Sequence, residues 1–173
     1  MARPVRLALV ALVALVLALG VALLASAATD RPEKTVTVGA TVPGPKREVW
    51  RVLADFERYG EWNPVIRRAS GRAREGTSLE LELALPGQDP EKLEPEVLIA
   101  RPERKLRWQD RLVVPGLRDW EYEFVLQPVE NGRVLVVQQL RAEGLLAPLA
   151  DAGDAREALE LIADALEQRL SQG

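Results

Sequence analysis

The side chains available for chemistry are few. The chain has no cysteine and no histidine, and it carries 23 basic against 26 acidic residues. Thiolate metal sites, iron–sulfur clusters and cysteine nucleophiles are therefore excluded. So are serine–histidine hydrolysis and the histidine-based zinc and haem centres. The acid–base candidates that remain are Tyr122 and Asp110, with Arg118 or Gln138 able to join them. A tyrosine or an arginine can polarise a carbonyl, and a desolvated aspartate can become a useful base. The competing reading is structural: Tyr122 hydrogen-bonds for stability, and Asp110 sits in solvent at a strand end or pairs with an arginine. The Glu80/Glu82 and Glu121/Glu123 pairs alternate with apolar residues and read as solvated outer faces. They suggest no paired-carboxylate site, and no oxygen-rich loop suggests calcium. Neither a metal nor a cofactor is expected.

The elements that must position these residues follow from periodicity. Residues 35–42 alternate, with Val36, Val38, Ala40 and Val42 on one face of a strand. Pro43-Gly44-Pro45 stops the strand, and Pro45 suits the first position of a helix whose stripe is Val49, Val52, Leu53 and Phe56. Asp55 ends that helix, and Trp62-Asn63-Pro64 makes a rigid turn with Trp62 packing at a sheet edge. Strands are then expected over 65–73, 78–85, 93–100, 105–112, 118–127 and 133–143. Pro86-Gly87, Arg101-Pro102, Pro115-Gly116 and Asn131-Gly132 punctuate them. A last helix opens at Asp154, with Glu157 reaching back as in a capping box. It buries Leu159, Ile162, Leu166 and Leu170.

This order predicts an α+β fold. One curved antiparallel sheet of about seven strands wraps a single long C-terminal helix, and such an arrangement leaves room for a ligand between them. The inward side chains include Leu81, Leu83, Trp108, Trp120, Tyr122, Phe124, Leu140 and Leu166, with Trp62 beside the turn. Leu145 lies where the chain crosses from sheet to helix, at the expected mouth.

The N-terminal stretch is different in kind. Arg3 and Arg6 precede Leu7–Ala28, which is apolar but for Gly20 and Ser26. At ~1.5 Å per residue, such a helix spans the roughly 30 Å hydrocarbon core. The arginines keep the N-terminus inside and send the rest across. Residues 1–28 thus read as a signal peptide cleaved after Ala25-Ser26-Ala27 or as a retained signal anchor. Residues 29–34 form a linker and 35–170 the domain. Either reading places the domain outside the cytoplasm, held to the membrane if the helix is uncleaved. With Arg3 and Arg6 set aside the remainder is more acidic than the whole chain's net charge of −3, so nucleic acid is not an expected partner.

The stretch Val49-Trp50-Arg51-Val52-Leu53-Ala54-Asp55-Phe56, leading through Tyr59 to Trp62-Asn63-Pro64, resembles the opening of the SRPBCC, or START-like helix-grip, superfamily. More narrowly it resembles the polyketide cyclase/dehydrase branch. Arg104-Lys105-Leu106-Arg107-Trp108, Pro115-Gly116-Leu117 and Gly144-Leu145-Leu146-Ala147-Pro148-Leu149 resemble that branch too, in the expected order. The resemblance covers about residues 35–170. It implies a helix-grip fold with a deep apolar cavity that takes lipids, isoprenoids or polyketide-like molecules. Some members are cyclases or dehydratases working without a cofactor. This chain departs from the branch at Leu140 and Ala142, where an acid and an aromatic are usual at that spacing before the glycine it keeps as Gly144, and it lacks the histidine often found near Trp120 and Tyr122. Binding of a hydrophobic small molecule is the expected function. A cyclase or dehydratase is second, and a membrane-held interaction module with a closed cavity is third.

Overall fold

In the computed structural model, which describes residues 33–85, 89–111, 119–144 and 151–172, the alternating segments form strands that pair antiparallel throughout. Strand β1 (Glu33–Val42) ends at Pro43, and helix α1 (Lys46–Ala54) follows with Pro45 as its N-cap. Pro45 thus stands one position earlier than expected. Its carbonyl accepts the N–H groups of Glu48 at 2.9 Å and Val49 at 3.3 Å, and its missing donor costs nothing there. Asp55 is the C-cap of α1, and a 3₁₀ turn spans Phe56–Glu61. Gly60 is required in that turn, because a Cβ would lie 2.5 Å from the Arg67 carbonyl oxygen.

Asn63 makes the next turn. Its Oδ1 accepts the N–H groups of Val65 at 3.0 Å and Ile66 at 2.7 Å, which sets the chain into β2 (Ile66–Ser70). Strands β3 (Glu80–Leu83), β4 (Glu91–Leu93), β5 (Glu96–Arg101), β6 (Lys105–Arg111), β7 (Asp119–Pro128) and β8 (Val134–Glu143) follow. The expected strand over 93–100 is two strands, because Glu94-Pro95 breaks the ladder between β4 and β5. At the β7–β8 hairpin Asn131 and Gly132 both have positive φ, as an Asn-Gly turn favours.

The strands form not one sheet but two. Five run in the order β1-β8-β7-β6-β5, and three run β2-β3-β4. The residues just before β3 join them: Leu79 donates to the Pro95 carbonyl at 2.8 Å, and Val97 donates to the Thr77 carbonyl at 2.9 Å. The fold is α+β, a large antiparallel sheet with a long C-terminal helix, as the periodicity predicts.

Helix α2 (Ala152–Ser171) packs closest along β1. Asp151, not Asp154, caps it, accepting from the N–H of Gly153 at 2.7 Å and of Asp154 at 3.3 Å. Asp154 lies in the first turn, where a carboxylate suits the helix dipole. Leu159, Ile162 and Leu166 are buried against the sheet. At its C-terminal end the helix is tied by Arg169 to Glu61 at 3.0 Å and by Glu167 to Arg133 at 3.3 Å.

One charged pair departs from expectation. Glu123 is not a solvated residue: it is only 7% exposed on the outer face of the sheet. Lys105 at 2.9 Å and Arg107 at 2.6 Å close over it, and Arg107 reaches Glu121 at 3.2 Å as well. Arg107 stands directly across the β6–β7 ladder from Glu123, so the register alone brings the two together.

The leader, with residues 1–32 as a whole, lies outside the described residues, as do Leu112, Pro115-Gly116, Arg118, Leu145 and the rest of 145–150. Among the described residues no helix is long and apolar enough to cross a membrane.

Leu166 is 1% exposed at the centre of the helix stripe. Leu166→Asp would set an unpaired carboxylate against Leu and Val side chains, and we expect it to destabilise the fold by about 4 kcal/mol or more. Urea unfolding checks this; an unchanged midpoint would show that the helix does not pack through this stripe.

Candidate functional site

Period-2 alternation in β6, β7 and β8 places one side chain from each strand in register on the inner face. Trp108, Tyr122 and Leu140 form one such row, and Asp110, Trp120 and Ala142 form the next. Facing them across a gap are Ala155, Ala158, Leu159 and Ile162 of α2, while Leu81 and Leu83 of β3 form the side wall. The space between is a cavity of about 390 Å³. Ligand pockets run about 300–1,000 Å³, so this one fits a compact molecule. Val65 and Ile66, the residues positioned by Asn63, also line it.

The cavity occupies one half of the space under α2, toward the helix N-terminus and the strand ends at Arg111, Asp119 and Glu143. The other half is solid. Phe124, one inward position beyond Tyr122, is fully buried, and its ring lies 4.9 Å from that of Tyr122 and 5.9 Å from that of Trp108. Leu166, a turn beyond Ile162, is buried in the same core. Of the residues expected to line a pocket, Leu81, Leu83, Trp108, Trp120, Tyr122 and Leu140 stand in the wall, and Asp110 stands with them. Phe124 and Leu166 do not, because they fall on the packed side. Trp62 does not either: it caps the 3₁₀ turn and packs on Tyr59, with ring centroids 5.1 Å apart. Leu145 lies outside the described residues.

Sequence reasoning took Leu166 as the helix's share of the wall; the structure gives that place to other residues of α2. Asp151, Asp154, Ala155, Ala158, Leu159 and Ile162 follow the 3–4 spacing of one helix face. The signal was present, but the small alanines did not register as a surface against which anything could pack. They are what leaves the space open.

Tyr122 is 8% exposed, and its hydroxyl is 2.6 Å from Gln138 Oε1. Gln138 is fully buried, and its Nε2 donates to the Leu159 carbonyl at 3.1 Å. A carbonyl can only accept, so the amide nitrogen of Gln138 must face α2 and its oxygen must face Tyr122. The Tyr122 proton is therefore committed to Gln138. Burial also pushes the Tyr122 phenol well above its usual range. The hydroxyl stays protonated. It cannot serve as a general base, and to act as an acid it would have to abandon a buried amide. Tyr59 is likewise raised by burial, but it is spent on structure, donating to the Leu53 carbonyl at 2.7 Å.

Asp110 is half-buried and faces Trp120 across the β6–β7 ladder. The other ionisable residues in the wall are Asp89, Glu91, Asp151 and Asp154, and all of them are acids. Among the described residues no group of three carboxylates is placed to hold a metal ion.

Comparison with known proteins bears on this geometry. The fold is shared with a START superfamily protein from Mycobacterium smegmatis at a TM-score of 0.66 and 23% identity, covering 80% of this chain and 97% of that one. It is shared with norcoclaurine synthase from Thalictrum flavum at a TM-score of 0.63 and 14% identity, covering 83% and 97%. It is also shared with ginseng major latex-like protein 151 from Panax ginseng at a TM-score of 0.66 and 10% identity, covering 80% and 97%. At these identities the likeness is one of fold. Among curated proteins none matches the chain in sequence. The family described as polyketide cyclase / dehydrase and lipid transport, however, matches residues 33–172, nearly everything the structure describes. The chain belongs to that family, and it shares its fold with a START superfamily protein.

Proposed function

We propose that this protein binds a hydrophobic small molecule in the cavity between its sheet and α2, and does so outside the cytoplasmic membrane. The cavity itself carries the reading: about 390 Å³ of space walled by Trp108, Trp120, Tyr122, Leu83 and Leu140 in a domain whose other half is closely packed. Protein interiors close voids unless something keeps them open, since an apolar void forfeits the contacts its lining could make. At ~25 cal/mol per Å² of apolar surface removed from water, a lipid-like or polyketide-like guest gains most of its affinity from these walls, less the cost of association. The volume suits one chain or a few fused rings. Norcoclaurine synthase, one of the proteins sharing the fold, has been observed with dopamine and hydroxybenzaldehyde, so the scaffold holds compact aromatic molecules elsewhere.

The location rests on the leader. Arg3 and Arg6 followed by the apolar run to Ala28 are the pattern of an export signal, cleaved near Ala27 or retained as an anchor. A reporter that works only outside the cytoplasm, fused after residue 34, is expected to be active; an inactive, cytoplasmic fusion would contradict export.

Cyclase or dehydratase chemistry stands second. Its best acid–base candidate, Tyr122, has its proton committed to Gln138. Tyr122→Phe separates the two. It leaves Gln138 Oε1 buried without its donor, which costs about 1–3 kcal/mol of stability. In a binder, ligand occupancy persists; in a cyclase using that hydroxyl, turnover is lost while the ligand still binds. A double-mutant cycle with Gln138→Leu, followed by urea unfolding, is expected to show coupling between the two residues. Strict additivity would show that the pair does not act together.

Leu83 is half-buried at the cavity wall. Leu83→Trp fills space that is already vacant, so it should cost little stability while reducing occupancy at least tenfold. Native mass spectrometry of the purified full chain checks this: the wild type should carry an apolar adduct that the variant lacks. A wild type without any adduct, and a crystal structure showing the space filled by side chains, would instead favour a closed interaction module.

A further inference from the structure

The apolar leader and the cavity meet at one end of the larger sheet. Glu33, Glu143, Asp119 and Arg111 stand in register across β1, β8, β7 and β6, so the chain enters the domain beside the strand ends that border the cavity. The next row is Lys34, Ala142, Trp120 and Asp110, and the inward row after it is Val36, Leu140, Tyr122 and Trp108. These two rows supply the sheet's share of the cavity wall. The β3–β4 ribbon reaches the same end. Glu96 pairs with Gln109, beside Asp110, and Ser78 bridges Glu96, so β3 and its partner β4 project past this edge of the larger sheet.

The cavity also comes to the surface there. Its lining residues Trp108, Tyr122, Leu159 and Ile162 are buried, whereas Asp151 and Asp154, at the start of α2, and Asp89 and Glu91, beside β3, are exposed. Leu85, Leu93 and Trp120 are half-buried in the same wall. The opposite end, beyond Phe124, is packed core. Reach then decides which end can meet a bilayer. From Ala28, where the apolar run ends, to Glu33 there are five Cα steps. Fully extended at ~3.6 Å each, they span at most about 18 Å. Strand β8 has 10 residues, so at ~3.4 Å per residue the Asn131-Gly132 hairpin lies about 34 Å farther along the sheet. A leader that stays in the bilayer therefore keeps the open end of the cavity within a short reach of the leaflet, whatever the tilt of the domain. An apolar molecule crossing a longer stretch of water would expose its surface on the way, at a cost that grows with its area.

Resting on the reading of this cavity as a ligand site and of the leader as a retained anchor, we infer that the cavity's open end is the domain's membrane-facing surface, and that its guest is a single lipid chain drawn from the bilayer in which the leader lies. The far end, with the β7–β8 hairpin and α1, faces away.

The test holds the full chain in phosphatidylcholine nanodiscs that include a phosphatidylcholine with a diazirine on its acyl chain. Irradiation links that chain to whatever it touches, and peptide mass spectrometry maps the adducts. We expect the peptides bearing Leu85, Leu93 and Trp120 to be labelled at least fivefold more than the one bearing Val129, an exposed apolar residue at the far end. Trp108, deep in the wall, should be labelled too. Leu83→Trp should cut the labelling of Trp108 at least fivefold and leave that of Leu93 within twofold, which also shows that the variant is folded and still faces the bilayer. Labelling no richer at the open end than at Val129, or a purified chain that has lost residues 1–28, overturns the membrane-facing assignment. A titration of the same nanodiscs with 2-(1-naphthyl)ethanol, read on 5-fluorotryptophan resonances, tests the cavity by itself. A saturable shift of Trp108 and Trp120 leaves the cavity reading standing even where the assignment falls. No shift, with the open end labelled and Trp108 unlabelled, means that the cavity reading fails and the lipid-chain guest fails with it.

Discussion

Gln138 ties the sheet to α2 through the apolar interior. It has no exposed surface, and it sits on β8, between β1 and β7 of the larger sheet. A buried amide is costly unless both its ends are satisfied, so the Tyr122 hydroxyl and the Leu159 carbonyl are constraints and not decoration. Together they fix how far α2 stands from the sheet, at a point halfway along the helix. On the far side of that point Leu166, Phe124, Val134 and Val136 pack to the density of an ordinary core. On the near side the helix presents Ala155 and Ala158, which are too short to reach the sheet at the distance Gln138 sets. The cavity follows from that mismatch.

The rest of the molecule keeps this geometry from relaxing. The C-terminal end of α2 is tied to the 3₁₀ turn through Arg169 and Glu61, where Arg58 also pairs at 2.7 Å; the hydrogen bond from Arg58 holds the Glu61 carboxyl below its usual range. Exposed pairs of this kind contribute little stability singly, but they set position. Asn63 holds Val65 and Ile66 in the wall from the opposite side. Outside the sheet, Lys105 and Arg107 close over Glu123, so the strands that carry Trp108 and Tyr122 are cross-linked by charge on the face away from the cavity.

Much of this was legible in the sequence, for definite reasons. The period-2 runs of Leu79-Leu81-Leu83 and Trp120-Tyr122-Phe124 specify which face of each strand is inward, and the inward lists hold. The Leu159-Ile162-Leu166 stripe specifies the helix, and the Val49–Pro64 signature specifies the family. Illegible were the quantities that depend on distance between elements. Periodicity places Phe124 and Tyr122 on the same face but cannot say that one is in packed core and the other at a void. It likewise could not set Trp62 on Tyr59 and out of the wall, or bury Glu123, because both depend on which element lies beside which. Helix capping misled by three residues: Asp151 and Asp154 are equally good caps by type, and only the path of the chain into α2 chooses between them.

The central claim is that a guest occupies the half-space next to Trp108 and Trp120. The four tryptophans make this directly measurable, since Trp50 and Trp62 lie away from the cavity while Trp108 and Trp120 line it. Labelled with 5-fluorotryptophan, the full chain gives four fluorine resonances that single Trp→Phe variants assign. On titration with the uncharged apolar probe 2-(1-naphthyl)ethanol, the account predicts that the Trp108 and Trp120 resonances shift together with one dissociation constant while those of Trp50 and Trp62 stay fixed. Shifts confined to Trp50 or Trp62, or a saturating titration that leaves Trp108 and Trp120 unmoved, would contradict it.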